Sequence, residues 1–160
     1  MSEKFIKNLK HTLTVPAQFK NLNKIRGFVK KFARKAGFSE ADSYKIQLAV
    51  DEACSNIIEH AYTDGNLGEI VCGCDLNEEE FIIQLVDFGQ SFDPERIASP
   101  DLNSSLQDRK TGGLGLYFIH QLMDEVTFTI VPAGSPTKSP GYVSRPSNVL
   151  IMVKRRPKPE

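Results

Sequence analysis

A chain of 160 residues has room for one domain, 1–160, in which roughly two thirds of the unfolded surface can be buried, and little room for a second. Apolar residues at 40% and charged residues at 25% are those of an ordinary globular protein and exclude a fibrous or disordered chain. Twenty basic residues balance twenty acidic ones, so no net field draws the molecule to nucleic acid or to an anionic membrane, and direct binding to either is not expected.

The opening MSEKFIKNLK lacks the apolar core of a signal peptide, and no later run is long enough to span a bilayer, so the expected location is the cytoplasm. Alternation of Leu9, His11, Leu13 and Val15 with polar residues predicts a first strand over 9–15. Pro16 is read as opening a helix whose apolar face runs from Phe19 through Leu22, Ile25, Val29, Phe32, Ala33 and Ala36 to a stop at Gly37. Ser39 and Asp42 form a Ser-x-x-acid cap for a second helix, which carries Ile46, Ala49, Val50, Ala53 and Ile57 and runs to about 61. A turn cluster at 63–68 leads into a hairpin of two β-rich runs, 69–76 and 81–86.

Residues 89–113 are rich in Gly, Pro and Ser and too long for a plain connection, which marks them as a functional lid. A short helix over 114–123 and closing strands over 126–131 and 149–153 complete the order. Between those strands lies a loop at 132–148 with four prolines, and the chain ends in a basic tail, KRRPKPE, expected to be solvated and frayed. Three cysteines without a Cys-x-x-Cys pair argue against a disulfide framework. Cys72 and Cys74 read as small buried residues before they read as a metal site. Together these elements predict an α+β fold, a two-layer sandwich of helices on one face of a mostly antiparallel mixed sheet.

Three segments carry chemistry. On the second helix Glu52 and Asn56 are four apart and share a face, with His60 one turn further. An Asn carbonyl oxygen with phosphate oxygens suits Mg²⁺, and a neighbouring carboxylate can take a proton from an attacking hydroxyl. The polar face of an amphipathic helix would look the same. Asp87-Phe-Gly-Gln-Ser-Phe-Asp-Pro94 follows an apolar strand, so Asp87 can be buried and still accept a hydrogen bond from an exocyclic amine such as that of adenine. Gly89 would let backbone approach the base and Phe92 would pack beneath the loop; a ligand-free turn is the plainer alternative. Thr111, Gly112, Gly113, Leu114, Gly115 and Leu116 run straight into a helix, which sets exposed amides at a helix N-terminus as a phosphate cradle. Arg109 and Lys110, just before it, either add charge near a terminal phosphate or are simply solvated.

The order Glu-x-x-x-Asn on a helix, Asp-x-Gly-x-x-Phe-Asp after a strand, then Gly-Gly-Leu-Gly-Leu resembles the ATPase superfamily of gyrase, histidine kinases and mismatch-repair proteins. Within it, DEACSNIIEHAY, DFGQSFDP and TGGLGLYFI resemble the serine-protein kinases that act as anti-sigma factors, over roughly 9–131 and 149–154. The resemblance implies a histidine-kinase-like ATPase (Bergerat) fold that binds ATP and Mg²⁺. In it Asn56 coordinates the metal, Asp87 reads adenine, the glycines at 89, 113 and 115 permit close approach, and Glu52 is the general base. It further implies a serine/threonine kinase acting in a partner switch between a sigma factor and a small antagonist of the STAS type, with homodimerisation as a family tendency. A nucleotide-binding module that sequesters partners without phosphoryl transfer is the alternative. The Pro-rich loop at 132–148 departs from compact members of that family, and the lid's charges match no fixed pattern in it.

Overall fold

The computed structural model describes residues 9–62, 68–90, 111–132 and 146–158, with the side chains of the third stretch from Leu116 onward. Strand β1 (His11–Pro16) is followed by a 3₁₀ turn (Phe19–Asn21), helix α1 (Leu22–Lys35) and helix α2 (Glu40–Asn56), which continues as a π-helical turn (Ile57–Ala61). The hairpin β2 (Glu69–Leu76) and β3 (Glu80–Asp87) comes next, then α3 (Thr111–Leu122), β4 (Glu125–Val131) and β5 (Ser147–Arg155). The strand order is β1-β2-β3-β5-β4 and every pairing is antiparallel. The fold is the expected α+β layer of helices on a sheet.

The local chemistry accounts for the boundaries. Pro16 closes β1 instead of opening a helix, because β1 is an edge strand that tolerates a residue with no N–H to give. Asn21 then ties the helix entry back to the strand by donating to the Pro16 carbonyl at 3.0 Å. α1 buries Leu22, Ile25, Val29, Phe32 and Ala33 and stops before Gly37, whose φ of 91° lies in the left-handed region that a Cβ disfavours. Ser39 caps α2 by accepting from the Asp42 N–H at 3.1 Å. Asn77 folds the hairpin turn by accepting from the N–H groups of Glu79 and Glu80 at 2.9 and 2.8 Å.

The main core lies between sheet and helices, with Phe81, Ile83 and Leu85 of β3 and Met152 of β5 facing α1, α2 and α3 residues such as Val29, Ile46 and Ile119. A second cluster, Ile82, Val86, Val131, Val149, Ile151 and Val153, is buried on the opposite sheet face. β3 and β5 are therefore buried on both sides, which is why they read as unbroken apolar runs. Cys54, Cys72 and Cys74 are free thiols within the main core, and burial pushes the Cys54 thiol well above its ordinary value. Among the described residues no His, Cys, Asp or Glu cluster could hold a metal, and no helix is long and apolar enough to cross a membrane.

The basic tail departs from expectation. Lys154 and Arg155 belong to β5, and Lys154 Nζ donates to the Leu122 carbonyl at the end of α3 at 2.9 Å. Arg156 Nε donates to the Ala36 carbonyl at the end of α1 at 3.0 Å, and its Nη1 donates to the Asn77 carbonyl. Helix C-termini leave carbonyls without intrahelical partners, and these cations satisfy them.

Candidate functional site

Asn56 is the last residue of α2 and is buried, 9% exposed, whereas Glu52 one turn earlier is exposed. Among the described residues no group hydrogen-bonds the Asn56 side-chain amide, which leaves its oxygen and nitrogen to a ligand. Immediately after it the helix widens into its π turn, which carries one extra residue and redirects the Ala61 carbonyl and Tyr62. Ile57 and Ala61 anchor this turn in the core, while Glu59 and His60 are exposed.

Asp87 ends β3, opposite Asn148 of β5 in the ladder, and is buried. Its Oδ1 accepts from Asn148 Nδ2 at 2.8 Å and from the Gly89 N–H at 3.0 Å. Burial pushes the carboxyl above its usual range, and the bonds from Asn148 and Gly89 offset only part of that effect. Both described bonds fall on Oδ1, so Oδ2 is the oxygen open to a ligand. Asn148 Nδ2 also reaches the Gly89 carbonyl at 3.2 Å, and the Gln90 N–H donates to the Ala61 carbonyl at 2.7 Å. The turn after β3 is thus bonded to both β5 and the end of the Asn56 helix. Gly89 is needed for that approach: a Cβ there would overlap the carbonyl of Ala61.

Asn56 and Asp87 line one cleft together with Ala53, Ile57, Leu116, Ile119, Phe128 and Leu150. It holds about 410 Å³ of unfilled space, the open solvent at its mouth included, and only these two lining residues are polar. A lining that is apolar but for these two residues suits a flat heteroaromatic ring with one polar edge. An adenine fits on chemical grounds: its faces meet aliphatic and aromatic side chains while its amine meets an acceptor. A hard cation carried on phosphates fits the carbonyl oxygen of Asn56 at the same wall.

Leu116, in the second turn of α3, lines the cleft, which sets the N-terminal half of that helix beside it. The Gly-rich segment 111–116 lies inside α3, three residues ahead of the helix start expected from the periodicity. Its first N–H groups still have no intrahelical partners. The structure brings Asn56, Asp87 and Leu116 together and leaves Glu52 on the exposed side of α2, outside the cleft wall. Phe92, Arg109 and Lys110 lie outside the described residues, as do 91–110 of the expected lid and most of the Pro-rich loop.

Sequence reasoning did not single out Asn148, Ala61 or Tyr62. Asn148 is a polar residue heading an otherwise apolar strand, a signal available in the sequence but ambiguous without its partner. Tyr62 and Ala61 close the stretch DEACSNIIEHAY, and their service to the Asp87 turn depends on the π turn, which leaves no mark on apolar spacing.

The sequence pattern of the histidine kinase-like ATPase domain matches residues 15–137. The chain is similar to the serine-protein kinase RsbW of Halalkalibacterium halodurans, at 38% identity over 118 residues covering 71% of this chain and 72% of that one. It is similar also to RsbW of Bacillus mycoides, at 33% over 130 residues and 79% of each chain. Among solved structures, the SiaB–SiaC complex from Pseudomonas aeruginosa matches with a TM-score of 0.59 at 11% identity, over 91% of this chain and 89% of that one. The RsbU and RsbW domains of a Mycobacterium tuberculosis protein match with a TM-score of 0.57 at 18% identity, over 94% of this chain and 34% of that one. At such identities the two structures speak for the fold alone.

Proposed function

Because the chain belongs to the histidine kinase-like ATPase domain family and, within it, to the RsbW serine-protein kinases, we propose that it binds Mg-ATP in this cleft and phosphorylates a partner protein. The substrate is a serine or threonine of a small anti-sigma-factor antagonist of the STAS type. The same protein sequesters a sigma factor in alternation with that antagonist, in the cytoplasm and as a homodimer.

The residues divide the work as follows. Asp87 accepts from the exocyclic amine through Oδ2, while Ala53, Ile57, Ile119, Phe128 and Leu150 exclude water from the base. Asn56 offers its carbonyl oxygen to the cation. The N–H groups of Thr111, Gly112 and Gly113, followed by Leu114 and Gly115, face the phosphates at the start of α3. Phe92 packs beneath the Asp87 loop, and Arg109 and Lys110 add positive charge near the terminal phosphate. Glu52, one turn before Asn56, takes the proton from the attacking hydroxyl as its oxygen bonds to the γ-phosphorus, while the bond from that phosphorus to the bridging oxygen breaks and ADP leaves. Bound Mg²⁺ supplies the charge that neutralises the phosphate oxygens.

The observation that carries this reading is a buried carboxylate in the wall of an apolar cleft whose other polar group is Asn56. Calorimetric titration with Mg-ATP, followed by labelled-phosphate transfer to a purified STAS-type antagonist, tests it. Binding and transfer are expected together. Binding without transfer would make the chain a nucleotide-gated binding module. A melting temperature unmoved by ATP at about 100 times a plausible dissociation constant, where about 2.7 kcal/mol of stabilisation is expected, would remove nucleotide binding altogether.

A further inference from the structure

The β2–β3 ladder pairs Leu76 with Phe81 at one end and Ile70 with Asp87 at the other. Continued by one step, it would bring Glu69 opposite Phe88, with the Phe88 N–H turned to the Glu69 carbonyl. A side chain stands there instead. The hydroxyl of Tyr62 accepts from the Phe88 N–H at 2.8 Å and donates to the Glu69 carbonyl at 2.8 Å, so it replaces the next rung with a two-bond bridge. Its ring lies against Gly68, where an added Cβ would overlap it.

This insertion has a consequence for the cleft. A direct rung would keep β3 running along β2 through Phe88. Held off by a hydroxyl, β3 leaves the ladder after Asp87, and the chain turns until Gln90 N–H meets the Ala61 carbonyl at 2.7 Å. That turn supplies the Gly89 N–H that bonds Asp87 Oδ1 and the Gly89 carbonyl that Asn148 holds. Tyr62 follows directly on the π turn that extends the Asn56 helix. One side chain therefore connects the end of that helix to the backbone carrying Asp87.

We infer that Tyr62 is a positioning residue, a wedge in the β2–β3 ladder that aims the Asp87 carboxylate at the base edge and so determines preference for an adenine amine. It does not itself touch the nucleotide. The inference rests on the reading of the cleft as an adenine-nucleotide site, and it adds a specificity determinant to that site. Without the hydroxyl, the Phe88 N–H is free to close onto the Glu69 carbonyl, which draws the turn off Ala61 and rotates the carboxylate. Contacts to the triphosphate, made from Asn56 and α3, are left in place.

The test compares ATP with inosine triphosphate, which carries a carbonyl where adenine carries its amine, on the full chain with Mg²⁺. Tyr62→Phe keeps the ring on Gly68 and removes only the hydroxyl. It is expected to weaken ATP binding about ten-fold, the scale of one lost charge-assisted hydrogen bond, and to leave inosine triphosphate affinity unchanged, so the preference collapses. Transfer rate at saturating ATP stays near wild type, so the effect falls on KM. Gly68→Ala, which displaces the ring from the other side, is expected to shift the preference the same way and serves if Tyr62→Phe fails to fold. A merely structural tyrosine would lower the melting temperature and leave the ATP to inosine triphosphate ratio of the folded protein intact. That intact ratio, in whichever variant folds, overturns the inference alone. Wild-type protein that binds neither nucleotide, or binds both equally, overturns the adenine-site reading and the inference with it.

Discussion

Asn148 donates its side-chain amide to Asp87 Oδ1 at 2.8 Å, joining two buried residues that are 61 positions apart in the sequence and directly opposite in the β3–β5 ladder. The pair ties the orientation of the carboxylate to the sheet as well as to the turn that follows it, whose Gly89 N–H holds the same oxygen. Both described bonds to the carboxylate fall on Oδ1.

Asn148→Ala is therefore expected to cost about 1–3 kcal/mol of stability, since a buried acceptor loses a donor that water cannot readily replace. Urea unfolding measures that loss, and titration with ATP should show weaker binding in the folded variant. Stability within experimental error of wild type would mean that Asp87 is held without Asn148.

The pH dependence has a definite sign. Burial raises the Asp87 pKa in the folded state, so between the ordinary carboxylate value and the raised one the folded protein holds a proton that the unfolded chain has released. The contribution of Asp87 to stability is accordingly greatest below the unfolded value and is lost as pH rises through the folded value. Asp87→Asn should flatten stability against pH across that window just above the usual carboxylate range, as read from unfolding midpoints at several pH values. Nucleotide affinity runs the other way, because with Oδ1 taken up by Asn148 and Gly89 the added proton falls on Oδ2 and turns the amine's acceptor into a donor: ATP binding by wild type should fall as pH drops through the same window. A variant whose stability varies with pH as wild type does would show that Asp87 is not the titrating group.

Much of this was legible in the sequence, and the failures have physical causes. The apolar spacing of α1 and the Ser39 cap of α2 depend on local chemistry, and both appear where the periodicity sets them. Asp87 could be singled out because it follows an apolar strand, and Asn56 because it shares a helix face with Glu52 four residues earlier. The π turn at Ile57–Ala61 could not, since one extra residue in a turn changes direction without changing composition. Asn148 became meaningful only with the strand order β3-β5, which a single sequence does not state. Pro16 misled because helix starts and edge-strand ends tolerate the same missing N–H.

Gly89→Ala tests how the Asp87 turn reaches the helix end. The added methyl would overlap the backbone carbonyl and side chain of Ala61, neither of which can rotate away, so overpacking of about 1–3 kcal/mol is expected. The Gln90 to Ala61 bond should break with it. Loss of ATP binding with a lowered melting temperature is the expected result, and a folded variant with wild-type affinity would refute the close approach.

Glu52→Gln separates binding from chemistry. Glu52 is exposed and absent from the cleft wall, so the amide should leave ATP affinity unchanged. If Glu52 accepts the hydroxyl proton, phosphoryl transfer should fall by about 10²–10⁴-fold. Single-turnover transfer to the antagonist reads this directly, and an unaltered rate would assign the proton to another group.

Arg156→Ala probes stability away from the cleft. The guanidinium joins the Ala36 carbonyl at the end of α1 to the Asn77 carbonyl in the β2–β3 turn, and the backbone N–H of Arg156 donates to the Glu79 carbonyl at 2.8 Å. Truncation leaves the backbone bond in place and removes both side-chain bonds. Because Ala36 is buried, its carbonyl gains little from water in exchange. A loss of about 1–2 kcal/mol is expected, seen as a lower urea midpoint at unchanged slope. ATP affinity should not move, since none of Ala36, Asn77, Glu79 and Arg156 lines the cleft. A variant as stable as wild type would return the C-terminal residues to the solvated role that their charge alone suggests.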